Sequence, residues 1–185
     1  MTEEEKCIQG ILYCAYDAEL IKKREKAKQL CYEYNQLVPS QLKEKEDIIQ
    51  KLFKKTGKSF TIEPNFWCDY GNHISIGENF YINHNCVILD GAEVKFGDNV
   101  MIGPNCGFYT AGHPINIEER NQGLEYAKPI YIGNNVWIGG NVVVMPGVKI
   151  GNNVTIGAGS IVTKDIPDNV IAYGNPCKVI RKIEE

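Results

Sequence analysis

Three histidines, His73, His84 and His113, are the side chains here whose ordinary titration range spans neutral pH. Each is therefore a candidate general base. His113 stands in a polar stretch, TAGHPINIEERNQGLEYAKP, with two prolines, two glycines and no aliphatic phasing. Loops of that length usually carry function. His73 and His84 fall among regularly spaced aliphatic residues and are weaker candidates. The seven cysteines form no CxxC pair and their number is odd. They read as reduced packing residues, not as a disulfide framework or a zinc site.

The elements that must position these residues follow a six-residue period. Ile132, Ile138, Val144, Ile150, Ile156 and Val162 open six consecutive hexapeptides, and Val136, Val142, Val148, Val154 and Ser160 occupy fifth positions. Neither a helix nor a flat strand has that period. Six residues make a short extended run and a tight bend, in which Gly or Asn accommodates positive φ. Stacked hexapeptides indicate a β-solenoid. The same phase runs earlier through Ile76, Ile82 and Ile88, jumps by two, and resumes at Phe96, Ile102 and Phe108. A two-residue insertion near Asp90-Gly91, at a corner, accounts for the jump. Cys86 and Cys106 take fifth positions, where small inward side chains belong.

Residues 1–57 differ in composition and predict a helical segment that covers one end of the stack. One helix starts at Asp17 as N-cap, with Leu20, Ile21, Ala27, Leu30, Cys31 and Tyr34 on its inward stripe. Pro39-Ser40 is expected to stop it and cap a second helix, in which Ile48, Ile49, Leu52 and Phe53 face inward. Lys54 and Lys55 suit the end of that helix, with Gly57 closing it. The solenoid is expected over 58–166, with a protruding loop at about 110–129. The prolines at 167 and 176 predict that regular coils end in a basic tail, 167–185. A net charge of −3 argues against nucleic acid and a polybasic membrane anchor. No run approaches the roughly 18 apolar residues that span a bilayer, and the acidic N-terminus lacks a signal-peptide core. A soluble cytoplasmic protein is expected.

The chain resembles the hexapeptide-repeat acyltransferases, within them the maltose/galactoside O-acetyltransferase group. The resemblance rests on YGNHISIGENFYINHNCVILDG, IGPNCGFYTAGHP, GLEYAKPIYIGNNVWIGGNVVVMPGVKIG and IGAGSIVTKDIPDNVIAYGNPCKVIRKI. It implies a mainly β architecture, a left-handed parallel β-helix with an N-terminal helical cap. It also implies a homotrimer using acetyl-CoA as co-substrate and a sugar as acceptor, with no metal. His113 matches the family's catalytic base, and Asn83 the asparagine that holds the acceptor and supports the transition state. Asp17, Asp69 and Tyr81 match positions lining the acceptor pocket. Where this chain has Asp69 the galactoside enzymes have serine, and a further acidic pocket residue is matched by Gly91, so acceptor identity does not transfer. Glu125 suits the maltose branch, and its carboxylate could bond the second nitrogen of His113 and fix its tautomer.

For acetyl-CoA, small residues such as Gly140, Ala158 and Gly159 would admit the pantetheine arm. The resemblance makes Thr163, Lys164, Lys178 and Arg181 coenzyme contacts, with Lys178 in place of an arginine, and leaves Trp137 as a tunnel wall or a subunit contact. Two other readings stand beside this one. One is an acetyltransferase of the same fold with a xenobiotic or amino-acid acceptor, and the other a non-catalytic scaffold. Zinc carbonic anhydrases of this fold need a close histidine pair, and no HxxxxH spacing occurs. Along the coil, Asn83 falls in the bend after Ile82, whereas the His113 loop leaves after Phe108. The two therefore stand at different corners, which predicts a site shared across a trimer interface.

Overall fold

The computed structural model describes residues 1–184. Its body is a parallel β-helix with three faces. Each turn contributes one strand to each face, beginning with Phe60–Ile62 on the first, Trp67–Cys68 on the second and Ile74–Ser75 on the third. The first face stacks six parallel strands, through Phe80–Ile82, Met101–Ile102, Val136–Ile138 and Val154–Ile156 to Val170–Tyr173. Aliphatic residues at the hexapeptide openings point inward and form one core, with the Phe96 ring 5.1 Å from that of Phe80, tilted, and 5.1 Å from that of Phe108, edge-to-face.

Two of the three corners are regular. Every non-glycine residue with positive φ among the described residues is an asparagine, at 65, 79, 85, 99, 105, 135, 141, 153 and 169. These bends need left-handed backbone, which Asn adopts at little cost. The asparagines also stack, as Asn65 Nδ2 donates to Asn85 Oδ1 at 2.9 Å and Asn85 Nδ2 to Asn105 Oδ1 at 3.2 Å.

The third corner, between the second and third faces, varies in length from turn to turn. Ile62 pairs with Ile82 and Ile82 with Ile102, so these turns take twenty residues, whereas Ile138 pairs with Ile156 eighteen on. The extra residues at Asp90-Gly91 lie at this corner, as expected. Two further extra residues fall one turn below, within Asp69–Gly71, readable in the eight-residue step from Cys68 to Ile76. The excursion after Phe108 leaves from the same corner.

That excursion is structured. It holds the strand Ala111–Gly112, a short helix α4 (Ile117–Asn121) and the strand Leu124–Ala127, which pairs antiparallel with Tyr13–Cys14 from the N-terminus. The first seventeen residues, which include α1 (Glu3–Ile8), therefore lie along the irregular corner. There Cys7, Tyr13, Ala15, Leu20, Tyr70, Ala92 and Ala127 form a second apolar cluster.

Helix α2 (Ala18–Gln36) begins at Asp17 as expected, the Asp17 Oδ1 accepting from the N–H groups of Glu19 and Leu20. Helix α3 (Leu42–Leu52) departs from expectation at both ends. Gln41, not Ser40, is the N-cap, and it makes no side-chain cap bond. The helix stops at Leu52 because Phe53 turns into the core. Lys54 N–H then donates to the Ile74 carbonyl, so the chain joins the third face well before Gly57. Nor does Pro167 end the coil. Val170–Tyr173 adds a further parallel rung, and Lys178–Lys182 folds back antiparallel over it, covering the edge.

Candidate active site

The irregular corner encloses a cavity of about 330 Å³ lined by Tyr13, Ala15, Tyr16, Arg24, Asp69, Tyr70, His113, Arg120, Gly123 and Glu125. The inserted turn supplies Asp69 and Tyr70, the excursion supplies His113, Arg120, Gly123 and Glu125, and the N-terminal segment and α2 supply the rest. Arg24 is held by its donation to the Tyr70 hydroxyl at 2.6 Å and to the Ala15 carbonyl.

His113 Nδ1 lies 3.3 Å from the carbonyl oxygen of Leu124. A carbonyl only accepts, so Nδ1 carries the proton and Nε2 keeps its lone pair. Glu125 does not bond the second ring nitrogen as expected, because Leu124 already occupies it. Instead Glu125 Oε1 stands 3.7 Å from Nε2 itself, and its other oxygen accepts from the Tyr13 hydroxyl at 2.8 Å. A carboxylate there stabilises an imidazolium once Nε2 has taken a proton. Burial raises the pKa of Asp69, with Arg24 opposing.

The remaining predicted residues lie elsewhere. Tyr81 is half-buried on the outside of the first face, in line with Met101, and Asn83 begins the next corner. Asn83 Oδ1 accepts from the backbone N–H of His84 at 2.7 Å and meets its Nδ1 at 2.8 Å. Asp17 caps α2 and does not line the cavity. Along the corner of Asn83, higher turns carry Gly140, Ala158 and Gly159, with Gly159 N–H donating to the Gly140 carbonyl at 2.9 Å. Trp137 is exposed on the first face, and Lys178 and Arg181 sit on its last, antiparallel strand. Thr163 and Lys164 follow the last strand of the second face and are exposed. The predicted residues thus fall into two separated groups, one around His113 and one running up from Asn83. Sequence reasoning missed Tyr13, Tyr16, Arg24, Tyr70 and Arg120, which meet at the cavity because the N-terminal segment, the inserted turn and the excursion converge on this corner.

Among the described residues no three His, Cys, Asp or Glu side chains are placed to hold a metal ion. No helix among them is long and apolar enough to cross a membrane.

Residues 6–57 match the maltose acetyltransferase hexapeptide capping motif, and residues 129–164 match the bacterial transferase hexapeptide (six repeats). The galactoside O-acetyltransferase of Escherichia coli is 47% identical over 176 residues, covering 95% of this chain and 87% of its own. A maltose O-acetyltransferase from Clostridium difficile superposes with a TM-score of 0.98 at 51% identity, covering 100% of this chain and 99% of that one. A galactoside acetyltransferase in complex with coenzyme A gives 0.96 at 47% identity, covering 100% and 92%.

Proposed function

Since this chain belongs to the hexapeptide-repeat acyltransferases of the maltose/galactoside O-acetyltransferase type, we propose that it transfers the acetyl group of acetyl-CoA to a sugar hydroxyl with His113 as general base. The observation carrying this reading is the orientation of His113. Its Nδ1–H is committed to the Leu124 carbonyl, which leaves Nε2 as the proton acceptor beside a polar cavity. A neutral alcohol is a weak nucleophile, and removing its proton during attack is what such a base contributes. Asp69 and Glu125 offer carboxylate oxygens, and Tyr16 and Arg120 donors, to a polyhydroxylated acceptor.

Acetyl-CoA, when bound, supplies the activated acetyl thioester and a thiolate leaving group. The shelf at Gly140, Ala158 and Gly159 fits a thin pantetheine arm, since a Cβ added at Gly159 would meet nothing within 4 Å. Trp137 stands beside that shelf on the first face. The exposed Lys164, Lys178 and Arg181, with the Thr163 hydroxyl, suit phosphate groups. Nε2 of His113 takes the acceptor proton, Glu125 steadies the resulting charge, and the same proton then passes to the departing sulfur. Asn83 supports the transition state through its amide.

His113 and Asn83 stand at different corners, so a reacting group within about 3 Å of both needs the neighbouring copy. A homotrimer brings His113 of one subunit to Asn83 of the next. Two experiments test this. In an acceptor panel with acetyl-CoA, thiol release should be fastest with maltose, glucose or galactosides, and preference for amino-acid or xenobiotic hydroxyls would overturn the sugar reading. In the second, inactive His113→Ala and Asn83→Ala subunits are dissociated and reassembled together. Hybrids should recover part of the activity, and none, with mixing confirmed by mass, would place each site within one chain.

A further inference from the structure

Asp90 takes no part in the chemistry above, yet among the described residues it is the charged side chain with no exposure at all. It lies in the inserted pair of the irregular corner, one turn above Asp69 and Tyr70. Its Oδ1 accepts two backbone N–H groups, from Asp69 at 3.0 Å and Tyr70 at 2.9 Å. Its own carbonyl meets His73 Nδ1 at 2.6 Å, which fixes that histidine as the Nδ1–H tautomer and accounts for it without catalysis. Asp90 therefore clasps the inserted turn at both ends, Asp69-Tyr70 on one side and His73 on the other.

The second carboxylate oxygen, Oδ2, has no hydrogen-bond partner and is buried. A buried oxygen left so costs free energy, yet an apolar side chain here would leave the Asp69 and Tyr70 N–H groups without their acceptor. The inserted turn presents two cavity residues, Asp69 and Tyr70, and Tyr70 in turn holds Arg24. Neither backbone N–H belongs to the regular ladder of the second face, so the Asp90 carboxylate sets their direction.

We propose that Asp90 is a positioning residue for the acceptor, holding the Asp69-Tyr70 turn so that both side chains meet the incoming hydroxyl compound. This rests on the reading of the cavity as the acceptor site. Loss of the clasp acts on acceptor affinity and leaves the acetyl-CoA half-site, on another corner, untouched.

The test compares Asp90→Ala, Asp90→Asn and Asp69→Ala, with maltose, glucose and a galactoside as probe acceptors. Asp90→Ala and Asp69→Ala should each raise acceptor KM by about ten- to hundredfold, as expected for losing buried hydrogen bonds. Acetyl-CoA KM should stay within about twofold of wild type, because nothing in that half-site has moved. Asp90→Asn keeps an oxygen facing the two N–H groups and should restore most of the acceptor affinity. If Asp69→Ala raises acceptor KM and Asp90→Ala does not, the positioning role is overturned while the cavity stands as the acceptor site. If Asp69→Ala changes nothing, the cavity reading falls and this inference with it. Equal losses for both substrates in Asp90→Ala would mark a general structural role and also overturn it. Should Asp90→Ala not fold, the wild type decides. Slow amide exchange at Asp69 and Tyr70 supports the clasp, and unprotected amides refute it.

Discussion

Replacing Asp90 with Asn should remove a pH-dependent cost from the folded state. Burial is the main cause that raises the Asp90 pKa from an ordinary 3.8 to about 7. The Asp69 charge adds to it and the Tyr70 N–H opposes it. The groups around Asp90 are Asp69, Tyr70 and His73 from the turn below, Thr110 from the turn above, which bonds Leu89 and Ala92 on either side of it, and the Cys31 and Cys68 thiols, which feel its charge. Between about pH 4 and pH 7 the folded chain keeps a proton that the unfolded chain has released. Stability from this group is therefore complete below pH 4 and is lost as pH rises through 7. At about 1.4 kcal/mol per pKa unit the whole shift amounts to roughly 4 kcal/mol. Asparagine keeps the accepting oxygen and cannot ionise. Urea midpoints for both proteins at one fixed concentration, from pH 4.5 to 8, should show wild type losing roughly 2–4 kcal/mol relative to the variant. Glu3 and Glu93, whose pKa values are lowered by Lys6 and Lys54, are common to both and cancel. A wild-type-minus-variant difference that stays flat with pH would refute a buried ionisable Asp90.

His113→Ala should lower kcat by about 10²–10⁴ with acetyl-CoA binding unchanged, measured by thiol release and calorimetry, and a near-normal rate removes His113 from the mechanism. Substituting Lys164, Lys178 and Arg181 together with Ala should raise acetyl-CoA KM, spare acceptor KM and weaken the salt dependence of coenzyme binding; unchanged affinity would make that tail structural. Tyr13→Phe frees the Glu125 oxygen that now accepts at 2.8 Å, and should change kcat with little change in acetyl-CoA KM. Gly103→Ala would set a Cβ 2.5 Å from the Gly140 backbone nitrogen, so thermal unfolding should register a loss of about 1–3 kcal/mol, and displacement of Gly140 should weaken acetyl-CoA binding as well.

The period of six, the inward residues and the corner asparagines were all legible in the sequence. A stacked coil repeats one local conformation, and each hexapeptide restates the same steric demand. The insertion at Asp90-Gly91 was readable for the same reason, as a slip in phase. The separation of Asn83 from His113 onto different corners followed from counting alone. The start of α2 was legible because a cap is local chemistry, whereas its partner's end was not. Phe53 leaves the helix for a core contact, and the Ile74 carbonyl takes the Lys54 N–H, both set by chain distant in sequence. The cavity lay furthest out of reach. Tyr13 and Glu125, or Arg24 and Tyr70, meet only after the N-terminal strand pairs with the excursion across the irregular corner. No period links those residues. The Leu124 carbonyl that sets the His113 tautomer, and the Asp90 carboxylate that holds the Asp69 turn, are contacts between non-repeating segments. Only the folded chain brings them together.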